Sequence, residues 1–357
     1  MGQNAIVHVI GTGTIGEPLT GLLVDLKDSL GFEEITFHKR TPLLTDRSKV
    51  VNLLRRGAKL CVDRGAAKGF RDLGMEPTYE AEEAIDRAAV VIDCTPSGVG
   101  THNKTEFYER YASNTLGFLA QGSEFGFGKP YARGINDRAL VRGKDQFIQI
   151  VSCNTHNLSI LIDTLALQDH GPDNLVAGRF VCMRRSNDIS QDTSFVPSPV
   201  VGSHKDQRFG THHARDAWHL FNTLGYDLDL FSSAVKLNTQ YMHAIYFDIH
   251  VKRKTTVDEL VKLMHKNDRV AVTYKQSANA VFSFGRDQGH FGRILNVTVV
   301  ALPTLAVRNG TEIVGYCFTP QDGNSLLSSV SAATWLLYPD DYEQRVQCLK
   351  PYFYDEV

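Results

Sequence analysis

Residues 5–16 read Ala-Ile-Val-His-Val-Ile-Gly-Thr-Gly-Thr-Ile-Gly, and this stretch decides the fold. A short apolar run that ends at a glycine is typical of a strand buried on both faces. The pattern Gly-x-Gly-x-x-Gly follows at once, and Pro18 suits the first turn of the helix predicted after it. Strand, glycine-rich turn and helix in this order predict a dinucleotide-binding unit. The predicted cofactor contacts in the turn are Gly11, Thr12, Gly13, Thr14, Ile15 and Gly16.

The three glycines have separate physical tasks in such a turn. Gly11 would permit the tight turn, Gly13 would let the backbone approach a pyrophosphate, and Gly16 would let helix and strand pack closely. The helix N-terminus would add free N–H groups and the positive end of its dipole. The alternative is a glycine-rich turn that holds no ligand, and the position directly after a strand favours the cofactor.

Further apolar runs alternate with helical patterns along the first half of the chain. The predicted strands are 34–38, 59–62, 89–94, 115–120 and 146–151, with helices at 46–56 and 80–88 among them. Strands separated by helices predict a parallel sheet with right-handed crossovers.

The pattern changes after Cys153. An apolar helix is predicted over 157–168, and extended segments follow at 175–183, 233–237, 241–251 and 296–301. This predicts a mixed, largely antiparallel sheet. The expected fold class is α/β: an N-terminal Rossmann dinucleotide-binding domain and an α+β catalytic domain. We expect the first domain over residues 1–152, completed by the C-terminal helix at about 322–357, and the second over 153–321.

Composition excludes several classes of protein. The chain has 357 residues, 42% hydrophobic and 22% charged, so it is neither disordered nor fibrous. A net charge of -2 argues against a nucleic-acid partner bound by bulk charge. No apolar run is long enough to span a membrane, and no signal peptide is expected. The six cysteines are scattered without metal-like spacing, which predicts reduced thiols, no metal site and a cytoplasmic location.

The end of the second predicted strand bears on the choice of cofactor. An NAD site usually places Asp or Glu there for the ribose 2′-hydroxyl, whereas this strand ends in Lys39, Arg40 and Thr41. Two cations and a hydroxyl suit a 2′-phosphate, so NADP is the preferred cofactor and NAD the alternative. A solvated basic turn is the competing interpretation. A second turn after the strand at 89–94 supplies three further cofactor candidates, Thr95, Pro96 and Gly98, although an ordinary tight turn would look alike.

One cysteine stands apart from the other five. Cys153 lies in Ser-Cys-Asn-Thr between a predicted strand and a predicted helix. The helix dipole would stabilise a thiolate there and lower the pKa of the thiol. Four of the others, Cys61, Cys94, Cys182 and Cys317, lie in apolar runs and are expected in the core.

An ordered set of short motifs now resembles a known family, the archaeal-type (type II) phosphorylating glyceraldehyde-3-phosphate dehydrogenases. The chain is similar to a divergent member of it, from residue 11 to about residue 321. The motifs are Gly11–Gly16, Thr95–Gly100, Ser152–Thr155, Arg184-Arg185 with Asp188, His212–Asp216 and Met242-His243.

The resemblance implies a mechanism and a set of contacts. Cys153 would be the nucleophile that forms a thiohemiacetal and then a thioester, and His243 the base. Hydride would pass to NAD(P), and inorganic phosphate would cleave the thioester of a small phosphorylated aldehyde. A homotetramer is also implied. The implied substrate contacts are Ser152, Asn154, Thr155, Arg184, His212 and His213, and the further cofactor contacts are Gly122, Arg185 and Gln321.

Each role that the resemblance implies has a simpler alternative. His243 would otherwise be a half-buried strand histidine, His212 and His213 a solvated pair on a surface strand or loop, and Arg185 an ion-pair partner of Asp188. The sequence also departs from the family at His156, where a second threonine is followed by a small residue in the family. We expect this titratable group beside the substrate phosphate, where it would alter affinity or substrate.

Two other functions remain open at this point. The first is a related semialdehyde or acyl-phosphate reductase, which shares the fold, the cysteine and the histidine. The second is a catalytically silent protein on the same scaffold. The paired cations at 184–185 and the two histidines favour a phosphorylated substrate.

Overall fold

The structure is a computed structural model that describes residues 4–122, 124–189, 191, 193, 195–320 and 322–357. The chain divides into two compact units. The first unit comprises Met1–Tyr131, Leu140–Ile150 and Ser325–Lys350, and the second comprises Ala132–Ala139, Val151–Asn324 and Pro351–Val357. The first stretch of the predicted catalytic domain therefore begins at residue 151 rather than 153, and the last seven residues lie in the second unit.

The strands are, in chain order, β1 (Ile6–Ile10), β2 (Glu34–His38), β3 (Lys59–Val62), β4 (Tyr79–Glu80), β5 (Val90–Asp93), β6 (Gly117–Gln121), β7 (Lys129–Tyr131), β8 (Phe147–Ile150), β9 (Leu175–Arg184), β10 (Val200–Val201), β11 (Leu230–Lys236), β12 (His243–Val251), β13 (Val270–Thr273), β14 (Thr298–Ala301), β15 (Ala306–Arg308) and β16 (Glu312–Thr319).

The helices are α1 (Gly16–Asp25), α2 (Lys27–Leu30), α3 (Arg47–Arg56), α4 (Ala67–Asp72), α5 (Ala81–Arg87), α6 (Val99–Asn103), α7 (Glu109–Tyr111), α8 (Cys153–Ile162), α9 (His212–Asn222), α10 (Val257–Lys266), α11 (Ala278–Gln288), α12 (Gly323–Leu337) and α13 (Tyr342–Arg345). Two π-helical segments, Lys104–Tyr108 and Asp163–Leu167, follow α6 and α8 directly.

The first unit is built on a parallel sheet with the strand order β4-β3-β2-β1-β5-β6-β8-β7. Every residue of β1 and of β6 is buried, as expected for strands covered on both faces. The order reverses at β1, with β2 on one side and β5 on the other. Ligands of such sheets bind at the carboxyl ends of strands beside this reversal, which is where the glycine-rich turn stands. The predicted Rossmann-type sheet is confirmed.

The second unit contains a mixed sheet with the order β10-β11-β9-β12-β16-β14-β13, and β15 pairs with β16. Only the pairs β9–β11 and β13–β14 are parallel among the pairings described for this sheet. Along β12 buried and half-buried residues alternate strictly, so one face is covered and the other is partly open. The predicted mixed, largely antiparallel sheet is confirmed.

Two local expectations differ from the structure. The apolar helix predicted over 157–168 begins four residues earlier, at Cys153, because Ser152 caps it. The histidine pair, whose alternative interpretation was a solvated pair on a surface strand or loop, opens α9. Within the described residues, no helix is both long and apolar enough to cross a membrane.

Candidate active site

The glycine-rich turn has the geometry that a dinucleotide requires. Gly11 has a φ of +95°, and a Cβ built on Gly16 would stand 2.0 Å from the carbonyl oxygen of Gly11. A side chain at either position would therefore strain or break the turn. A Cβ at Gly13 would meet no atom within 4 Å, so its backbone faces open space. A phosphate can approach there, beside the N-terminus of α1.

Two predicted cofactor contacts at the end of β2 have different surroundings. Nζ of Lys39 forms an ion pair with Asp46 at 2.5 Å, and Nζ of Lys49 contacts the same carboxylate at 2.9 Å. These lysines hold the pKa of Asp46 below its usual value against the opposing effect of burial. Arg40 is exposed and forms no ion pair within the described residues. Arg40 is therefore the cation most available to a 2′-phosphate.

The turn that holds Thr95, Pro96 and Gly98 is organised by two buried acids. Asp93 accepts the backbone N–H of Thr95 at 2.8 Å and also hydrogen-bonds to its hydroxyl. Glu124 accepts the backbone N–H of Gly98, and the N–H of Thr101 at 2.8 Å. Glu124, only 3% exposed, thus occupies the N-terminal end of α6. The carboxylate of Glu124 thus accepts N–H groups that an anion would otherwise meet at that end.

The turn at Gly122 is held by backbone and side-chain bonds. Its φ is +73°, its N–H donates to Ile150, and its carbonyl accepts Nε2 of Gln149 at 3.0 Å. Gln321, the last predicted cofactor contact, lies outside the described residues.

Cys153 is the first residue of α8. The hydroxyl of Ser152 caps the helix by accepting the N–H of Thr155 at 3.3 Å, and the two side-chain oxygens are 2.9 Å apart. Nδ2 of Asn324 donates to the carbonyl oxygen of Cys153 at 3.0 Å. The capped first turn thus fixes the backbone that carries the thiol.

The thiol itself does not have the lowered pKa that its helix position predicts. Burial raises the pKa of Cys153 to about 12, and the Asp322 carboxylate adds to the rise, whereas Arg185 opposes it. Desolvation disfavours the thiolate. The direction is therefore upward, opposite to the lowered pKa expected from the helix start.

His243 opens β12 after Met242, which has a φ of +45°. Its Nδ1 accepts the backbone N–H of Arg185 at 3.1 Å. An accepting ring nitrogen carries no proton, so the proton of the neutral ring is on Nε2. Burial and the charges of Arg185 and Arg184 lower the pKa of His243 well below its usual value. The expected imidazole with a pKa near 6.5 is therefore wrong, and the ring is a neutral hydrogen-bond donor.

Arg185 is buried among acids. Its Nη2 lies 2.7 Å from Asp188 and 3.5 Å from Asp322, and the side chain is 4% exposed. A guanidinium in this position is tied to its carboxylates and is poorly placed to meet a cofactor. The plainer interpretation, an ion pair with Asp188, is what the structure contains, with Asp322 as a second partner.

A buried polar network holds two of the predicted substrate contacts, Asn154 and His213. Nδ2 of Asn154 contacts Nε2 of His213 at 3.2 Å, and Nδ1 of His213 lies 3.2 Å from the Thr211 hydroxyl. The Thr319 hydroxyl donates to Oδ1 of Asn154 at 3.2 Å. Both ring nitrogens of His213 are thus engaged. A substrate role for Asn154 or His213 would require rearranging this network, and that role stays a prediction for both residues.

Thr155 is likewise fully buried, and its hydroxyl shares one hydrogen bond with that of Ser152. His156 is 1% exposed, and its Nδ1 lies 3.1 Å from the Ser152 carbonyl oxygen. Burial lowers the pKa of His156 to about 4. The residue is therefore an uncharged interior side chain, not the titratable group expected beside the substrate.

Two of the predicted substrate contacts, Arg184 and His212, remain available. Arg184 is exposed, and its guanidinium forms no ion pair within the described part of the chain. The His212 ring stacks on that of His213 at 3.9 Å between centroids. Burial and the neighbouring charges of Arg184 and Arg215 lower the pKa of His212 to about 4. Arg184 therefore supplies the positive charge of this pair, and His212 contributes a neutral ring.

Four residues of these sites were not found from sequence: Lys49, Glu124, Asp322 and Asn324. The spacing of Asp46 and Lys49 is one that brings side chains together on a helix, and it could have indicated that pair. Asp322, Gly323 and Asn324 are turn-forming residues before a helical pattern, which is a weaker signal. Glu124 had no local signal, because its partners lie more than twenty residues earlier.

A Rossmann-type parallel sheet with a complete dinucleotide turn, followed in the chain by a mixed-sheet unit, has the architecture of dinucleotide-binding proteins. The resemblance to archaeal glyceraldehyde-3-phosphate dehydrogenases is confirmed, since the chain is similar to several proteins of that name. It is 26% identical over 320 residues to the glyceraldehyde-3-phosphate dehydrogenase of Metallosphaera sedula, covering 86% of this chain and 85% of that protein.

Two further relatives carry the same name. The Sulfolobus acidocaldarius protein is 24% identical over 316 residues, covering 86% of this chain and 84% of that protein. The Methanobacterium bryantii protein is 28% identical over 278 residues, covering 74% and 72%. No family model matches the chain.

Proposed function

We propose that the protein catalyses the reversible phosphorylating oxidation of glyceraldehyde 3-phosphate to 1,3-bisphosphoglycerate with NAD(P). The observation that carries the proposal is the environment of Cys153: a capped helix start, the charge of Arg185, which pairs with two carboxylates and opposes the rise in the pKa of the thiol, and the exposed Arg184 in the same unit. The relatives named above support the choice of substrate.

We assign substrate binding and covalent chemistry to different residues of the second unit. Arg184 and His212 would bind the phosphate of the aldehyde, because a dianion suits two neighbouring donors that no carboxylate neutralises. The Cys153 sulfur would attack the aldehyde carbon while the thiol proton passes to the carbonyl oxygen, which gives a thiohemiacetal. Loss of hydride from that carbon would then release the hydroxyl proton to water and leave a thioester. Bound nicotinamide supplies the hydride acceptor. Inorganic phosphate would then cleave the thioester and free the thiol.

His243 would act on the substrate oxygen. In the tautomer present here, Nε2 donates a hydrogen bond, which stabilises negative charge as it develops on that oxygen. A direct proton transfer to the ring would require Nδ1 to release the Arg185 N–H and take up a proton. We therefore propose hydrogen-bond donation as the role of His243, in place of the base role that the resemblance implies.

The cofactor contacts proposed are the Gly11–Gly16 turn and Arg40, and Arg40 is the basis for a preference for NADP over NAD. We also propose a homotetramer, formed through the partly open face of the second sheet, where Val181 and Tyr316 are exposed. The six free thiols agree with the proposed cytoplasmic location.

The test is a spectrophotometric assay of reduced nicotinamide with glyceraldehyde 3-phosphate, with and without inorganic phosphate. We expect turnover that requires phosphate and is lost in Cys153→Ser but kept in Cys348→Ser. Phosphate-independent turnover of a semialdehyde would instead identify a related reductase. Cofactor binding without turnover of either aldehyde would identify a catalytically silent relative.

A further inference from the structure

The second unit contains a pocket that the proposed reaction does not use. It has a volume of about 370 Å³ and is lined by residues of the loop 132–139, the π-helical segment Asp163–Leu167 and the turn after α9. This volume falls in the range of small-molecule sites, which is roughly 300–1,000 Å³. The pocket lies at the end of α8 opposite Cys153, so it is separate from the thiol.

Asp163 is one of the charged residues that line this pocket. Its carboxylate forms no hydrogen bond and no ion pair within the described residues; burial raises the pKa of Asp163 to about 6, and the charges of Arg269 and Arg138 oppose that rise. A partly buried carboxylate without a donor costs free energy, because no partner replaces the lost water. Asp163 also opens a π-helical segment, a local geometry that is frequent at functional sites.

The position of the pocket on the helix favours a cation. Leu167 and Gln168 line it, and they lie at the C-terminal end of the helical run that begins at Cys153. The negative end of the helix dipole and the Asp163 carboxylate act in the same direction there. A protonated amine would satisfy both.

The rim of the pocket carries a positive charge. Arg138 is exposed and hydrogen-bonds to the hydroxyl of Tyr226, and no carboxylate of the described residues pairs with it. Asp137, which also lines the pocket, forms an ion pair with Arg133 at 2.7 Å and accepts the backbone N–H of Gly134. Arg138 thus presents donors that suit a carboxylate.

A second arginine lies behind the loop. A Cβ built on Gly134, whose φ is +82°, would stand 2.2 Å from the Arg269 guanidinium, so only glycine lets this charge come so close. Nε of Arg269 is buried without a hydrogen-bond partner in the described chain. One unpaired acid between two arginines makes a site with both signs of charge.

We propose that this pocket binds a small zwitterion of the amino-acid class, with its ammonium group on Asp163 and its carboxylate on Arg138. The inference stands on the pocket alone and is independent of the proposed dehydrogenase reaction. Neither residue belongs to the proposed catalytic or cofactor sites.

The experiment uses isothermal titration calorimetry of the full-length protein with glycine, β-alanine and γ-aminobutyrate. These probes carry the same two charges at increasing separation. Propylamine and propionate, which carry one charge each, are the ligand controls. The variants are Asp163→Asn and Arg138→Gln, with Asp173→Asn, an exposed acid of the same unit, as the matched control.

We expect at least one zwitterion to bind, each pocket variant to weaken it by tenfold or more, and Asp173→Asn to bind as the parent does. The single-charge probes should bind at least tenfold more weakly. Absence of binding by all three zwitterions, or binding that survives Asp163→Asn, would overturn the proposal. Because Arg138 is exposed, Arg138→Gln keeps the test valid if Asp163→Asn fails to fold. Dehydrogenase activity of both variants, measured separately, should equal that of the parent.

Discussion

The backbone N–H of Arg185 donates to Nδ1 of His243 at 3.1 Å, and this bond fixes which ring nitrogen carries the proton. We predict that His243→Ala lowers kcat about a hundredfold or more, with little change in cofactor affinity. His250→Ala is the matched control, because His250 stands on the other face of β12, and it should leave kcat unchanged.

The tautomer has its own test. Nitrogen-15 spectra of histidine-labelled protein should show a His243 ring protonated on Nε2 throughout the pH range in which the protein is folded. A protonated Nδ1, or a His243 titration near pH 6.5, would contradict the donor role.

The reactivity of Cys153 should depend on Asp322. The Asp322 carboxylate raises the pKa of the Cys153 thiol. It also pairs with Arg185, whose charge lowers the pKa of the same thiol. Asp322→Asn removes the first effect and strengthens the second, so we expect faster alkylation by iodoacetamide at pH 8. Mass spectrometry should assign the gain to Cys153, with Asp173→Asn as the unchanged control. An equal rate in Asp322→Asn and the parent would show that the carboxylate does not govern the thiol.

Gly13 and Gly16 offer a matched pair in the glycine-rich turn. Gly13→Ala places a Cβ in open space, so we expect an unchanged melting temperature and a cofactor Kd raised by tenfold or more, about 1.4 kcal/mol. Gly16→Ala places a Cβ 2.0 Å from the Gly11 carbonyl and should lower the melting temperature as well. Thermal unfolding and fluorescence titration measure both effects. Normal cofactor binding by Gly13→Ala would argue that the pyrophosphate lies elsewhere.

Arg40 and Lys39 should contribute unequally to the choice of cofactor. Loss of a charged hydrogen bond costs about 1.5–3 kcal/mol, so Arg40→Gln should lower kcat/KM for NADP by roughly ten- to a hundredfold and leave NAD nearly unchanged. Lys39→Gln should have a smaller effect, because Asp46 already neutralises that lysine. If the parent enzyme strongly prefers NAD, the proposed preference is wrong.

Asp163 should reduce stability at neutral pH. Its pKa in the folded protein is about 6, above the value of about 3.9 in an unfolded chain. The folded state therefore binds this proton more tightly, and stability falls as the pH rises from about 4 to about 6. Asp163→Asn should raise the melting temperature at pH 7.5 and leave it unchanged at pH 4. A lower melting temperature at pH 7.5 would mean that the carboxylate has a stabilising partner.

The first unit could be predicted from sequence because its constraints are local. The predicted strands at 34–38 and 59–62 have the bounds of β2 and β3, and each contains three consecutive buried residues. The second unit was harder. No strand was predicted at Glu312–Thr319, where Gly315 interrupts the alternation. The missing side chain makes room for the ring of Phe247, which a Cβ would approach to 2.7 Å.

The sequence predicted the backbone position of the candidate site, but not which side chains contact one another there. The helix start at Cys153 follows from a local cap, so it could be located. Asp322, the second partner of Arg185, and Asn154, the neighbour of His213, come from distant segments, and only folding brings them together. Burial reversed the expected pKa direction at Cys153 and lowered the pKa of His243 below the expected value near 6.5, because burial cannot be read from a motif.

The stacked histidines at 212 and 213 imply unequal tolerance to mutation. His213 is bonded through both nitrogens into the interior, so its replacement would disturb α8, α9 and the strand that ends at Thr319. The contact described for His212 is the stacking of its ring on that of His213. Proteins descended from this scaffold that act on another aldehyde should therefore have changed residues 184 and 212 first, and a library built to alter substrate choice should randomise those two while holding residue 213 fixed.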